Sequence, residues 1–169
     1  GWGRSTGAGL GVVVIDTGIT AHPDLDTSLA DKGCDFISTG SVSGRSINGR
    51  AAGGWDLGDW TSNGQCDATT PGQPSSWHGT HVSGTVAEKT GNGVGAAGVA
   101  YGARVLPVRV LGHCGGLRSD IADAIVWSAG VPVDGVPDNK LPVAVNNMRI
   151  GGRGACNPGP AYGTRINKA

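Results

Sequence analysis

Two short segments carry the residue types needed for proton transfer. Asp16 directly follows the apolar run at residues 11–15, Gly-Val-Val-Val-Ile. A β-branched run of that length with no alternation reads as a buried strand, stopped by Asp16-Thr17-Gly18. In open parallel sheets, ligands bind at the carboxyl edge of the strands, so an Asp placed there is a candidate acid. An Asp that opens a turn after a strand is also commonly structural. His78-Gly79-Thr80-His81 opens the next helical stretch. A histidine there lies near the positive end of a helix dipole, which disfavours the imidazolium and keeps the ring available as a base. Taken alone it reads equally well as a hydrogen-bonded surface histidine.

The elements that must hold these residues follow from periodicity and breakers. Residues 81–89 read as a helix ended by Gly91-Asn92-Gly93, and residues 104–111 as a second strand with Pro107 in its middle. Residues 119–129 read as a second helix, capped by Ser119 or Asp120, with Ile121, Ala124, Ile125 and Ser128 on one face. Residues 143–148 read as a third strand. A β-α-β-α-β order with buried-looking strands predicts an α/β fold with a doubly wound parallel sheet. Residues 39–76 are rich in Gly, Ser, Asn and Asp and too long for an ordinary connection; such segments are functional, or ordered by a staple or an ion.

Composition narrows the function classes. Lys plus Arg and Asp plus Glu both count 13, so the chain lacks the basic field of a nucleic-acid binder and any polybasic run for a membrane surface. No apolar run approaches the ~20 residues of a membrane span. Gly is 32 of 169 residues without a G-X-Y period, which excludes collagen. At 16.8 kDa the chain is one domain or part of a larger one. It opens Gly1-Trp2-Gly3, without an initiator Met or an apolar leader, which predicts a processed or excised product. Four cysteines, at 34, 66, 114 and 156, favour disulfides and an oxidising compartment and allow three pairings; a reduced, buried set is the alternative. Gly93-Val94-Gly95-Ala96-Ala97-Gly98 fits G-x-G-x-x-G but follows a helix instead of a strand, so a dinucleotide site is set aside. His78 and His81 with His113 or Cys114 lack zinc-site spacing; His113 reads as a solvated loop residue and the five tryptophans as packing residues.

Read together, the ordered segments are far more specific. They are Val13-Val14-Ile15-Asp16-Thr17-Gly18, His22-Pro23-Asp24-Leu25, Trp77-His78-Gly79-Thr80-His81-Val82-Ser83-Gly84-Thr85, Gly95-Ala96-Ala97-Gly98-Val99-Ala100 and Asn147-Met148-Arg149-Ile150-Gly151-Gly152. In this pattern the chain resembles the subtilisin-like serine proteases (subtilases) of secreted bacterial type, over nearly its whole length. The resemblance implies a secreted endopeptidase that cleaves proteins through an acyl-enzyme. Its triad runs in chain order Asp, His, Ser, with Asp16 as the acid, His78 as the general base and His81 as a second, structural histidine. The departure is the nucleophile. No serine of this chain lies in a Gly-Thr-Ser-x-Ala motif or in a G-x-S-x-G elbow between a strand and a helix; Gly3-Arg4-Ser5-Thr6-Gly7 has the spacing but precedes the first strand. The resemblance therefore predicts that residues 1–169 are the N-terminal part of a catalytic domain, with 39–76 as a long insertion, inactive alone and completed by the missing C-terminal part. A non-catalytic peptide-binding or inhibitory fragment is the alternative.

The resemblance also implies further sites. Gly112-His113-Cys114-Gly115-Gly116-Leu117 stands where subtilases present an edge strand to an extended substrate, so Gly115, Gly116 and Leu117 are candidate substrate contacts. Arg149, Ile150 and Gly151 stand where the backbone lines the pocket for the residue before the scissile bond. Arg149 replaces the family's usual Ser, and either fills the pocket mouth or favours an acidic residue there. Asp56 and Asp59 are too few for a calcium loop in the insertion; a better calcium candidate combines Asp24, Asn92 and carbonyls near Lys89, Val94 and Ala96. Because His78 and the edge strand must face one substrate, Cys66 and Cys114 are expected on the same rim and bridged. Cys34 is expected as a free buried thiol, with Cys34–Cys156 as the competing second bridge.

Overall fold

The computed structural model describes residues 2–141, 143 and 145–151. In chain order it contains β1 (Gly11–Asp16), a 3-10 turn (Ala30–Lys32), β2 (Cys34–Asp35), α1 (Gly40–Ser43), β3 (Ala51–Ala52), α2 (His78–Ala87), β4 (Arg104–Arg109), α3 (Arg118–Ser128) and β5 (Val145–Met148). The strands form one sheet in the order β3-β2-β4-β1-β5. β1 pairs in parallel with β4 on one side and β5 on the other; β2 is parallel to β4, and only β3 runs antiparallel.

The side-chain alternation of β1 explains why both faces are covered. Val13 and Ile15 join Leu106, Val108 and the Ile121, Ala124, Ile125 and Trp127 face of α3 in one core. Val14 points the other way and joins Val105, Ile19, Leu25 and the Val82 and Ala87 face of α2 in a second core. The two helices therefore sandwich the sheet, which is the doubly wound α/β arrangement. Burying one such aliphatic side chain contributes about 1.5–3 kcal/mol. Pro107 is tolerated inside β4 because β2 joins that strand only from Val108 onward.

Several local expectations change. α2 begins at His78, three residues before the stretch read as helical, and ends at Ala87. α3 is preceded by Leu117 with no side-chain cap. Ser119 and Asp120 do not cap it because Asp120 is turned inward, where it accepts from the Ser38 amide at 3.0 Å and hydroxyl at 2.9 Å. The tryptophans divide: Trp127 is core, whereas Trp2, Trp60 and Trp77 are about half exposed. Within 39–76 the chain is ordered by α1, β3 and an antiparallel bridge between Thr61 and Gln73. Strand β5 is shorter than read and half exposed at the sheet edge. Among the described residues no helix is long and apolar enough to cross a membrane.

Candidate active site

The chain crosses from β1 to β4 on one side and from β4 to β5 on the other. The strand order therefore reverses at the carboxyl end of β1, the place where open α/β sheets form a crevice. Asp16 is the last residue of β1 and is fully buried. His78 is the first residue of α2, and its Nδ1 lies 2.8 Å from both carboxylate oxygens of Asp16. The Asp16 Oδ1 also accepts from the Thr17 amide at 2.7 Å. The His78 side chain remains 30% exposed, and its far edge, Nε2, faces the Arg149 guanidinium. Gly79 makes the approach possible: a Cβ there would stand 2.2 Å from the Gly18 carbonyl oxygen. His81, in contrast, is exposed on the same helix.

Beneath this pair lies a buried polar layer. Arg109, wholly buried at the end of β4, donates to Asp35 and to the carbonyls of Thr17, Ser43 and Gly58. A buried guanidinium persists only when most of its five N–H donors are paired, as four are here. Asp56 accepts from the Thr17 hydroxyl at 2.6 Å and the Gly58 amide at 2.8 Å. Burial pushes its carboxyl above the usual range, opposed by those two bonds and by the Arg109 charge. The sequence points to Thr17 only as the neighbour of Asp16 and weighs Asp56 only for a calcium loop, so it does not anticipate the site role of these residues or of Arg109.

The expected substrate rim is only partly as read. Cys66 and Cys114 are bridged, and the loop between β4 and α3 is thereby tied to the insertion. Cys34 is a free buried thiol whose burial pushes it up to about 11, while Cys156 lies outside the described residues. His113 is not solvated: it is buried, its Nδ1 contacts the Trp60 carbonyl, and its ring packs edge-on to Trp60 at 4.8 Å. The cause is the neighbouring bridge, which folds the loop onto the insertion. Gly116 meets the Val110 carbonyl closely, as expected of a close backbone approach, but Gly115 does not; it has open space and a φ of +98 in a tight turn closed by Gly112. Leu117 is extended and half exposed. On the opposite side, Arg149 places Nη1 3.4 Å from the His78 Nε2; Ile150 packs against the α3-side core, and Gly151 is exposed.

The calcium candidate shows a mixed picture. Asp24 is fully buried; its Oδ1 accepts from the Asn92 amide at 2.6 Å, and its Oδ2 has no partner. A Cβ on Gly95 would stand 2.1 Å from that oxygen, so the loop wraps it closely. A buried, unpartnered carboxylate oxygen under a glycine-rich loop fits a hard, oxygen-seeking cation. The Asn92 amide must turn over to offer its oxygen, and Val94 and Ala96 are exposed, where only their carbonyls can serve. Among the described residues no three His, Cys, Asp or Glu side chains gather.

Comparison with known proteins agrees with this geometry. Residues 7–168 match the model of the Subtilase family. The chain is 54% identical over 155 residues to an extracellular protease of Xanthomonas campestris pv. campestris, covering 92% of this chain and 26% of that protein. It is 50% identical over 160 residues to an extracellular basic protease of Dichelobacter nodosus, again covering 92% and 26%. A solved protease structure from Pseudoalteromonas arctica superposes with a TM-score of 0.90 at 48% identity, over 99% of this chain and 48% of that one. The chain thus spans about a quarter of the length of the curated relatives. With the ordered motifs, the sheet and its crevice, and a family match over nearly every residue, the chain belongs to the subtilase family.

Proposed function

We propose that this chain is part of a secreted serine endopeptidase, in which Asp16 and His78 are the acid and the general base. The carrying observation is the His78 Nδ1 at 2.8 Å from both Asp16 oxygens, with the ring still 30% exposed. A buried carboxylate there keeps the proton on Nδ1 and makes Nε2 the acceptor, which Arg149 Nη1 faces at 3.4 Å. Nε2 then takes the hydroxyl proton of a serine as that oxygen attacks the scissile carbonyl, and returns it to the leaving amine. Asp16 stabilises the imidazolium formed between those steps. In this reading the nucleophile and the oxyanion donors come from sequence outside these 169 residues, so the isolated chain turns over no substrate. Gly116 and Leu117 offer main chain to an extended peptide, and Arg149 sets a positive charge beside the base. Extracellular proteases among the relatives, and the bridge between Cys66 and Cys114, support secretion.

Calcium fits the reading as a structural ion. Asp24 with Asn92 and the carbonyls of Val94 and Ala96 would hold it, and its charge would compensate the buried carboxylate. The test of the function is labelling by a fluorophosphonate and hydrolysis of a peptide anilide. The full-length protein reacts in both and loses both with His78→Ala, and the 169-residue chain reacts in neither. Labelling of the isolated chain would overturn the reading.

A further inference from the structure

The hydroxyl of Thr17 occupies an unusual place between three segments distant in sequence. It donates to Asp56 Oδ2 at 2.6 Å and accepts from the Gly79 amide at 2.9 Å. Gly79 is the second residue of α2, and that helix has no side-chain cap of its own. Thr17 therefore supplies from β1 the acceptor that a capping residue would normally supply locally. A hydroxyl has one proton, and its direction decides which side can accept. Asp56, through a carboxylate oxygen, draws that proton and so turns a Thr17 lone pair towards Gly79. Asp56 is itself fixed, by the Gly58 amide on its other oxygen at 2.8 Å and by its own amide on the Ile19 carbonyl at 2.9 Å. The Arg109 Nε donates to the Thr17 carbonyl at 3.2 Å, which closes the third side.

The consequence falls on His78. Its ring is carried by the first residue of α2, and its partner Asp16 precedes Thr17 in the chain. The chain of bonds from Asp56 through Thr17 to Gly79 joins the segment of the acid directly to the segment of the base. We infer that Asp56, acting through the Thr17 hydroxyl, is a positioning residue that sets the Asp16–His78 geometry. This rests on the triad reading above. Neither residue touches substrate; a lost bond lets the first turn of α2 drift, and a displacement of about 1 Å costs on the order of a hundredfold in rate.

The test uses the full-length protein, a peptide anilide substrate and active-enzyme normalisation by fluorophosphonate labelling. Thr17→Val keeps the shape and removes the hydroxyl, Thr17→Ser restores the hydroxyl, and Asp56→Asn turns a donor towards Thr17. Expected is a fall of kcat on the order of tens to a hundredfold for Thr17→Val and Asp56→Asn, with KM little changed, and most of kcat retained by Thr17→Ser. The rate loss should exceed what any shift in Tm accounts for. If Thr17→Val misfolds, Asp56→Asn and Thr17→Ser still decide. Equal kcat in Thr17→Val and Thr17→Ser, or full kcat in Asp56→Asn, overturns the inference. His78→Ala is run alongside: an active His78→Ala overturns the triad reading itself, which distinguishes the two failures.

Discussion

Asp16 and Asp24 are close in sequence, one ending β1 and one in the turn that follows it, and both are fully buried, yet they end in opposite states. Every oxygen of Asp16 is used, by the Thr17 amide and the His78 ring. Asp24 has one oxygen on Asn92 and the other on nothing. A buried charge is tolerated only when compensated. At Asp16 the compensation is built into the chain, so the carboxylate can direct a neighbour. At Asp24 it is left open, so the carboxylate is suited to take something from solution. The same residue type at the same depth is thus an orienting group in one region and a candidate ion ligand in the other.

The sharpest way to break this contrast is to neutralise each carboxylate without changing its shape. In the full-length protein, Asp16→Asn should lower kcat by about 10⁴, the scale known for a neutralised triad acid, with little change in Tm. Asp24→Asn should leave kcat nearly untouched. Comparable rate losses from both would remove the distinction. Complete loss of the base is larger still: His78→Ala is expected to cost about 10⁶ in kcat, whereas the exposed His81→Ala stays within about 0.5 kcal/mol of parent stability and keeps its rate.

The bridge between Cys66 and Cys114 tests whether covalent closure, and not only the buried polar layer, holds the rim. Its loop of separation 48 predicts a loss of about 4 kcal/mol on replacing both cysteines by serine, in the chain-entropy account, measured by denaturant unfolding. No change in midpoint would show that hydrogen bonding alone holds the insertion.

Calcium sharpens the other half of the contrast. At a hundredfold excess over Kd it should stabilise the parent by about 2.7 kcal/mol and leave Asp24→Asn unmoved. In chelator the order reverses, with Asp24→Asn at least as stable as the parent because the uncompensated charge is gone. A parent whose Tm ignores calcium would close the site.

The smallest effect belongs to an exposed carboxylate. Bonds from the Thr70 and Thr69 hydroxyls and the Thr69 amide hold Asp67 down to about 2. Its contribution is present above the ordinary carboxylate range and is lost as pH falls through about 2. An NMR titration should find that low midpoint, and Thr70→Val should raise it.

The sequence by itself determined what is written in contiguous residues. β1 was legible because its β-branched run spans both faces of a sheet, and Asp16 and His78 because each sits inside an unbroken motif. The elements around α2 and α3 were legible to within a few residues from their breakers, although the first turn of α2 was not. Only the tertiary structure decided which polar groups meet. Asp56 lies 39 residues from Thr17, and nothing local at either position anticipates the bond. Asp120 looked like a cap and became a partner of Ser38, and His113 looked solvated until the neighbouring bridge folded it onto Trp60. The reason is physical. Periodicity and turn chemistry act over a few residues of chain, whereas a buried hydrogen bond answers to whatever donor the fold brings within 3 Å.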